Sequence, residues 1–262
     1  MRTIQVLVIF FFASSLCFSE VYTGTVKKNT KIPPNDPGLI RHINHLENLA
    51  SKASGDDLER LNKGVENMKT LKDAGYVQSI MLDVIINVDE NNNISSYKIS
   101  YFEPVLKTFS DSIEPNKIPY EYRSQNEIIF DGKKRYAINN MINEATRIVY
   151  TKPSYSEVES WVMIWNSLIE ETNKKNGTSV NRIEFEHGYI DQSINNPVMT
   201  LKDGSRIEFI KNDNGLPSQI KNVFTTKREN KFTFNLEKAP SVDLSETLDP
   251  KLKEKNTMVI NE

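Results

Sequence analysis

Glu184-Phe185-Glu186-His187 is the tightest acid-base cluster in the chain. Two carboxylates and an imidazole are the groups that general acid-base hydrolysis uses, which makes these three residues the catalytic candidates. Their spacing limits them. On a strand, Glu184 and Glu186 share one face and His187 takes the other, so a working site needs distant partners. Trp161 and Trp165, the two tryptophans of the protein, stand four residues apart and fall on one helical face. They are the ligand-binding candidates, as a platform for a sugar or an apolar molecule. A core helix laid across a sheet accounts for the same stripe.

Other chemistries are argued against. His42 and His45 stand three apart on a predicted helix. No acidic residue completes a ligand set with them, and no metal site is expected. Asp89-x-Asn91-x-Asn93 begins like a calcium loop. Such a loop needs Gly at its sixth position and Glu at its twelfth; here those are Ile94 and Ser100, which reads as a polar hairpin tip. There is no Gly-x-Ser-x-Gly elbow and no phosphate-cradling glycine loop, so no cofactor is expected. Asn93 and Asn176 head glycosylation triplets, which matter only in a eukaryotic secretory setting.

The elements that must position these residues begin with an export signal. Met1-Arg2 gives a positive start, Ile4–Phe18 is largely apolar, and small Ser19 precedes an expected cut before Glu20. The run falls short of the about twenty residues a membrane span needs. The segment 1–19 is therefore expected to be removed, leaving a secreted or periplasmic chain of 243 residues without a transmembrane segment. Cys17 is the only cysteine and leaves with it, so the mature chain has no disulfide and no thiolate chemistry. Leu16 stands where a lipid-attachment signal carries a small residue, which argues against a lipid anchor on Cys17. Without Arg2 the chain has 32 basic against 35 acidic residues, a formal charge of −3. That balance gives no footprint for nucleic acid. The basic clusters Lys133-Lys134-Arg135 and Lys227-Arg228 sit beside turn signals and read as solvated hairpin tips.

Residues 20–37 are polar and proline-rich and are expected to be a flexible leader. Apolar residues then recur at three- and four-residue spacing from Leu39 to Leu71, interrupted by Ser54-Gly55-Asp56. This predicts a helical hairpin over 38–75, with Asp36-Pro37 as its cap. From Gly75 the period becomes two, and Asp-Gly or Asn-Gly turns separate short alternating runs as far as 240. Ser154 and Glu157 offer a capping box for the tryptophan helix. The charged stretch 241–262 is expected to be a disordered tail. The expected fold is α+β: an N-terminal helical hairpin, then an antiparallel β-meander over 76–240 with one long amphipathic helix packed on the sheet.

These readings point to an exported, soluble, non-enzymatic binding or interaction protein whose partner is an unknown protein or an apolar ligand. One variant is a hydrophobic-ligand or lipoprotein carrier. The closing run Phe232-Thr233-Phe234-Asn235-Leu236 before Pro240 looks like the end of exported half-barrel carriers, over those C-terminal strands only and without a diagnostic residue. A secreted hydrolase using Glu184, Glu186 and His187 is the enzymatic alternative. An envelope component docking through the helical hairpin is a third, and it requires Leu61, Val65 and Met68 to be exposed.

Overall fold

The structure is a computed structural model that describes residues 20–141, 147–151, 156–173, 182–191, 196–212, 216–240, 244 and 257–261. The expected signal peptide lies outside these residues, as does most of the expected tail.

Thirteen strands form one sheet. β1 (Glu20–Ile32) leads into two helices, α1 (Pro37–Ala50) and α2 (Asp56–Ala74). β2 (Tyr76–Val88), β3 (Ile94–Leu106), β4 (Tyr120–Phe130), β5 (Arg135–Met141) and β6 (Arg147–Thr151) follow as a meander. A single 3-10 turn (Glu157–Glu159) opens α3 (Ser160–Asn173). Then come β7 (Arg182–Phe185), β8 (Gly188–Asp191), β9 (Val198–Leu201), β10 (Arg206–Lys211), β11 (Pro217–Val223), β12 (Glu229–Ala239) and β13 (Thr257–Asn261). The sheet order is β13-β6-β5-β4-β3-β2-β1-β12-β11-β10-β9-β8-β7. Every neighbouring pair is antiparallel except β13 with β6.

This corrects the α+β expectation. The protein is one large sheet, and its helices are short, 14, 19 and 14 residues long. The helical pair is not an N-terminal unit but a crossover between the adjacent strands β1 and β2. The expected flexible leader is largely β1, paired along its length with β2 on one side and β12 on the other. Backbone pairing on both edges overrides the polar composition, because each N–H and C=O finds a partner in the ladder. Gly24 marks the closest approach. A Cβ there would lie 2.0 Å from the Asn235 carbonyl oxygen, and its φ of +153° suits only glycine. Thr257–Asn261 pairs with β6 where a patternless tail was expected. Ser154 lies outside the described residues; the capping box forms at Ser156 and Glu159 instead.

All three helices cover the same face of the sheet. On β2, Leu82, Val84, Ile86 and Val88 point inward and are buried beneath α3, together with Val26 of β1. Ile32 and Tyr76, six residues from Val26 and Leu82, share that inward face and pack instead against α1 and α2. The result is two separate apolar clusters on one sheet face. The 3-10 turn contributes Val158, and α3 contributes Trp161, Val162, Trp165 and Leu168, to the first cluster, which joins β1 to β4 with β7 to β12. The second gathers Leu39, Ile43, Leu46, Val65, Met68 and Leu71 over the far ends of β1 and β2. Burying each such side chain contributes about 1.5–3 kcal/mol.

Candidate functional site

The strip between the two covers is where the sheet face changes character. Along β2 the inward residues are fully buried from Leu82 to Val88, but Tyr76, Gln78 and Ile80 are only partly buried. Tyr101, the inward residue of β3 opposite Leu82, is also partly buried. On β1 and β12 the same band turns polar. Lys28 lies between Ile80 and Phe232, and Thr30 between Gln78 and Asn230. Asn230 in turn faces Asn222 of β11. Arg228 stands two residues before Asn230, just ahead of β12, at the end of the β11–β12 turn.

Lys28 is 3% exposed, yet it is a cation on the sheet's covered face. Its Nζ lies 2.9 Å from a carboxylate oxygen of Glu157, whose side chain is more than half exposed. Burial pushes the Lys28 ammonium below its ordinary range, and Glu157 partly offsets that. The neighbouring Arg228 adds a second positive charge that acts on Lys28, Glu157 and Tyr76. Glu157 is held below the usual carboxylate range: its own burial opposes this, but contact with Lys28, the charge of Arg228 and a hydrogen bond with Asn230 outweigh it. Two cations therefore share one carboxylate. Among the described residues, Arg228 Nε, Asn230 Oδ1, Asn222 Oδ1 and the Trp161 indole nitrogen are buried without a hydrogen-bond partner. Buried polar groups in folded proteins are nearly always paired, and such atoms also occur away from this site, at Asn93 Oδ1 and the Tyr120 hydroxyl.

A second buried charge cluster is closed. Glu159 is fully buried and accepts from every direction: Arg135 Nε at 3.0 Å, Tyr97 hydroxyl at 2.7 Å, Ser156 N–H at 2.7 Å and Ser156 Oγ at 2.6 Å. Arg135 also donates to the Tyr97 hydroxyl at 3.3 Å. Burial, and then the bond to Glu159, raises the Tyr97 phenol above its usual range. The network fastens the start of α3 to β3 and β5. A buried carboxylate satisfied by four donors makes it a structural rivet rather than a reactive centre.

The residues singled out from sequence are not brought together. Glu184 lies on β7 with a mostly exposed side chain, ion-paired at 2.6 Å to Arg182 on the same strand face. Glu186 and His187 form the exposed turn into β8. Trp161 and Trp165 are buried against Phe234, with ring centroids 5.3 and 6.2 Å away, and Trp165 Nε1 donates to the Asn92 carbonyl at 2.8 Å. They floor the core instead of offering an open platform. His42 and His45 sit on α1, and burial with the charge of His45 lowers the His42 imidazole. Among the described residues no three His, Asp, Glu or Cys side chains converge. Val65 and Met68 are buried and Leu61 packs on their cluster, so the hairpin's apolar stripe is used internally.

The residues that matter most here, Lys28, Arg228 and Arg135, read as solvent-facing in the sequence. Lys133 and Lys134 are exposed at their hairpin tip, but Arg135 and Arg228 turn inward. For Lys28 the sequence holds one usable signal. It alternates with Val26, Thr30 and Ile32 on a single strand face. No protein-family model matches the chain, and no curated protein matches it. Among the described residues no helix is long and apolar enough to cross a membrane.

Proposed function

We propose that this protein is an exported, non-enzymatic carrier that holds an apolar ligand on the covered face of its sheet, in the strip between α3 and the α1–α2 hairpin. The export part rests on the N-terminal signal-type sequence. The carrier part rests on one observation: two helical covers lie on one sheet face without merging their cores, and Tyr76, Ile80 and Tyr101 remain partly exposed between them. Partly exposed apolar groups beside a few polar ones are the kinds of side chain that small-molecule sites use. The hairpin meets the sheet largely through apolar contacts, which can re-form after displacement by a ligand.

Organic extraction of the natively purified protein, followed by mass spectrometry, tests this. A molecule with an acyl or other long apolar part, recovered near one per chain, is the expected result. An empty protein that also leaves an environment-sensitive apolar dye unchanged would count against carriage.

A protein-binding role has its own observation. On the face opposite the helices Val77, Met81, Phe102 and Tyr122 are about half exposed, and the last three line a groove of about 310 Å³ together with Ser79, Ile80 and Pro104. Phe102 and Tyr122 form an edge-to-face pair at 6.2 Å. Exposed apolar groups gathered in this way mark contact surfaces. Phe102→Asp with Tyr122→Asp is expected to abolish capture of a partner while leaving extraction of an apolar ligand unchanged.

A further inference from the structure

We infer that Arg228 and Lys28 receive the acidic headgroup of an amphiphile whose apolar part lies along Ile80 and Tyr101. The inference rests on the carrier reading and names the ligand class. The band on the covered face is polar at one side and apolar at the other. Lys28 and Asn230 are almost fully buried; Lys28 stands directly opposite Ile80 and Phe232, and Asn230 lies two residues before Phe232 on β12. A neutral lipid would not call for two cations here. Burying a lysine carries a desolvation cost that Glu157, itself largely in solvent, only partly offsets.

The local donors point the same way. Lys28 and Arg228 both act on the Glu157 carboxylate, and Asp36 acts together with Arg228 on Tyr76. Arg228 Nε is buried with no hydrogen-bond partner among the described residues, so the guanidinium has a donor to give. A planar guanidinium beside an ammonium matches a carboxylate or a phosphate, and charge-assisted bonds to either are the strong kind. The Asn230 and Asn222 amides can turn to present either oxygen or nitrogen, so they suit the remaining oxygens or hydroxyls of a headgroup. Free inorganic anions share the headgroup's chemistry, and the apolar strip is what separates the two sources. A free phosphate would gain nothing from Ile80 and Tyr101.

The test is fluorescence titration of the full mature chain with cis-parinaric acid and with its methyl ester, which has the same tail and no charge. The acid is expected to bind about tenfold more tightly than the ester, or better. Arg228→Gln is expected to erase that preference by weakening binding of the acid about tenfold. Glu157→Gln, which removes the competing carboxylate, is expected to tighten the acid. These opposite responses separate a headgroup site from a variant that merely folds badly. Equal binding of acid and ester by the unaltered protein would overturn the headgroup site while leaving carriage intact. Failure of both probes to bind would overturn carriage and the headgroup site together. Inorganic phosphate that binds as tightly as the acid, with Arg228→Gln abolishing it, would overturn the amphiphile in favour of a free-anion site.

Discussion

The two covers on the sheet are built differently. α3 is pinned by directional bonds. Glu159 at its start is tied to Arg135 and Tyr97, Trp165 donates to Asn92, and Asn166 grips the backbone of Ile94 at both its N–H and its C=O, at 2.8 and 2.9 Å. The α1–α2 hairpin meets the sheet through aliphatic side chains. Its directional ties run to the loop beside it: Asn67 donates to the carbonyls of Thr108 and Ser110, Lys63 pairs with Asp111 at 2.6 Å, and Arg60 lies over the Phe109 ring. Directional bonds are lost abruptly when a helix shifts, whereas apolar packing tolerates re-registration. Under the proposed carrier reading this difference makes α3 the fixed wall and the hairpin the movable one, with Tyr76, Ile80 and Tyr101 between them.

Substitutions that break this contrast rank by size. Arg135→Met leaves Glu159 a buried, uncompensated carboxylate and is expected to cost about 3–5 kcal/mol in urea unfolding. The double variant with Glu159→Gln is expected to recover part of the loss. In the hairpin, Leu71→Ala is expected to cost about 2–5 kcal/mol by opening a cavity. Both tryptophans lie in α3, so folded-state tryptophan emission should stay unchanged in Leu71→Ala. A shifted emission would mean that the two covers act as one. Asn166→Ala removes both bonds to Ile94 and is expected to cost about 1–3 kcal/mol, read the same way.

Alkali probes buried phenols on both sides of the strip, Tyr97 by α3 and Tyr76 and Tyr120 by the hairpin. Burial, more than the nearby Glu103, raises Tyr101 to about 12, and Tyr97 lies higher still. The unfolded chain ionises such phenols near 10, so it sheds protons first. Stability is therefore complete below pH 10 and falls as pH climbs from 10 towards 12. Tyrosinate absorbance should rise together with unfolding, not ahead of it. The smallest effect is at the exposed cluster: Glu184→Gln is expected to change stability by no more than about 0.5 kcal/mol.

Legibility of the sequence follows the same division. The alternation of Leu82, Val84, Ile86 and Val88 is visible because one face of β2 is buried and the other is not. The three-and-four spacing from Leu39 to Leu71 is visible for the same reason. What stays hidden is long-range. β1 pairs with β12 more than two hundred residues away, Val21 opposite Ala239, and no local period encodes that partner. It also carries Lys28 and Thr30 at inward positions, so a strand at the heart of the sheet reads as a polar leader. The candidate site suffers likewise. Its charged residues look solvated one at a time, and only the sheet brings Lys28, Glu157 and Arg228 together. Glu184, Glu186 and His187 show the converse: nearness in sequence supplies chemistry-bearing groups without a recess to hold them.

Hydrogen exchange read by mass spectrometry, with and without bound cis-parinaric acid, tests the central claim most directly. Without ligand, amides of α1 and α2 should exchange faster than those of α3. With ligand, exchange should slow in the hairpin and around Glu157–Trp161, and remain unchanged in the β7–β8 hairpin. Slowing confined to β7–β8, or no slowing in either cover, would contradict a ligand held between a fixed helix and a movable one.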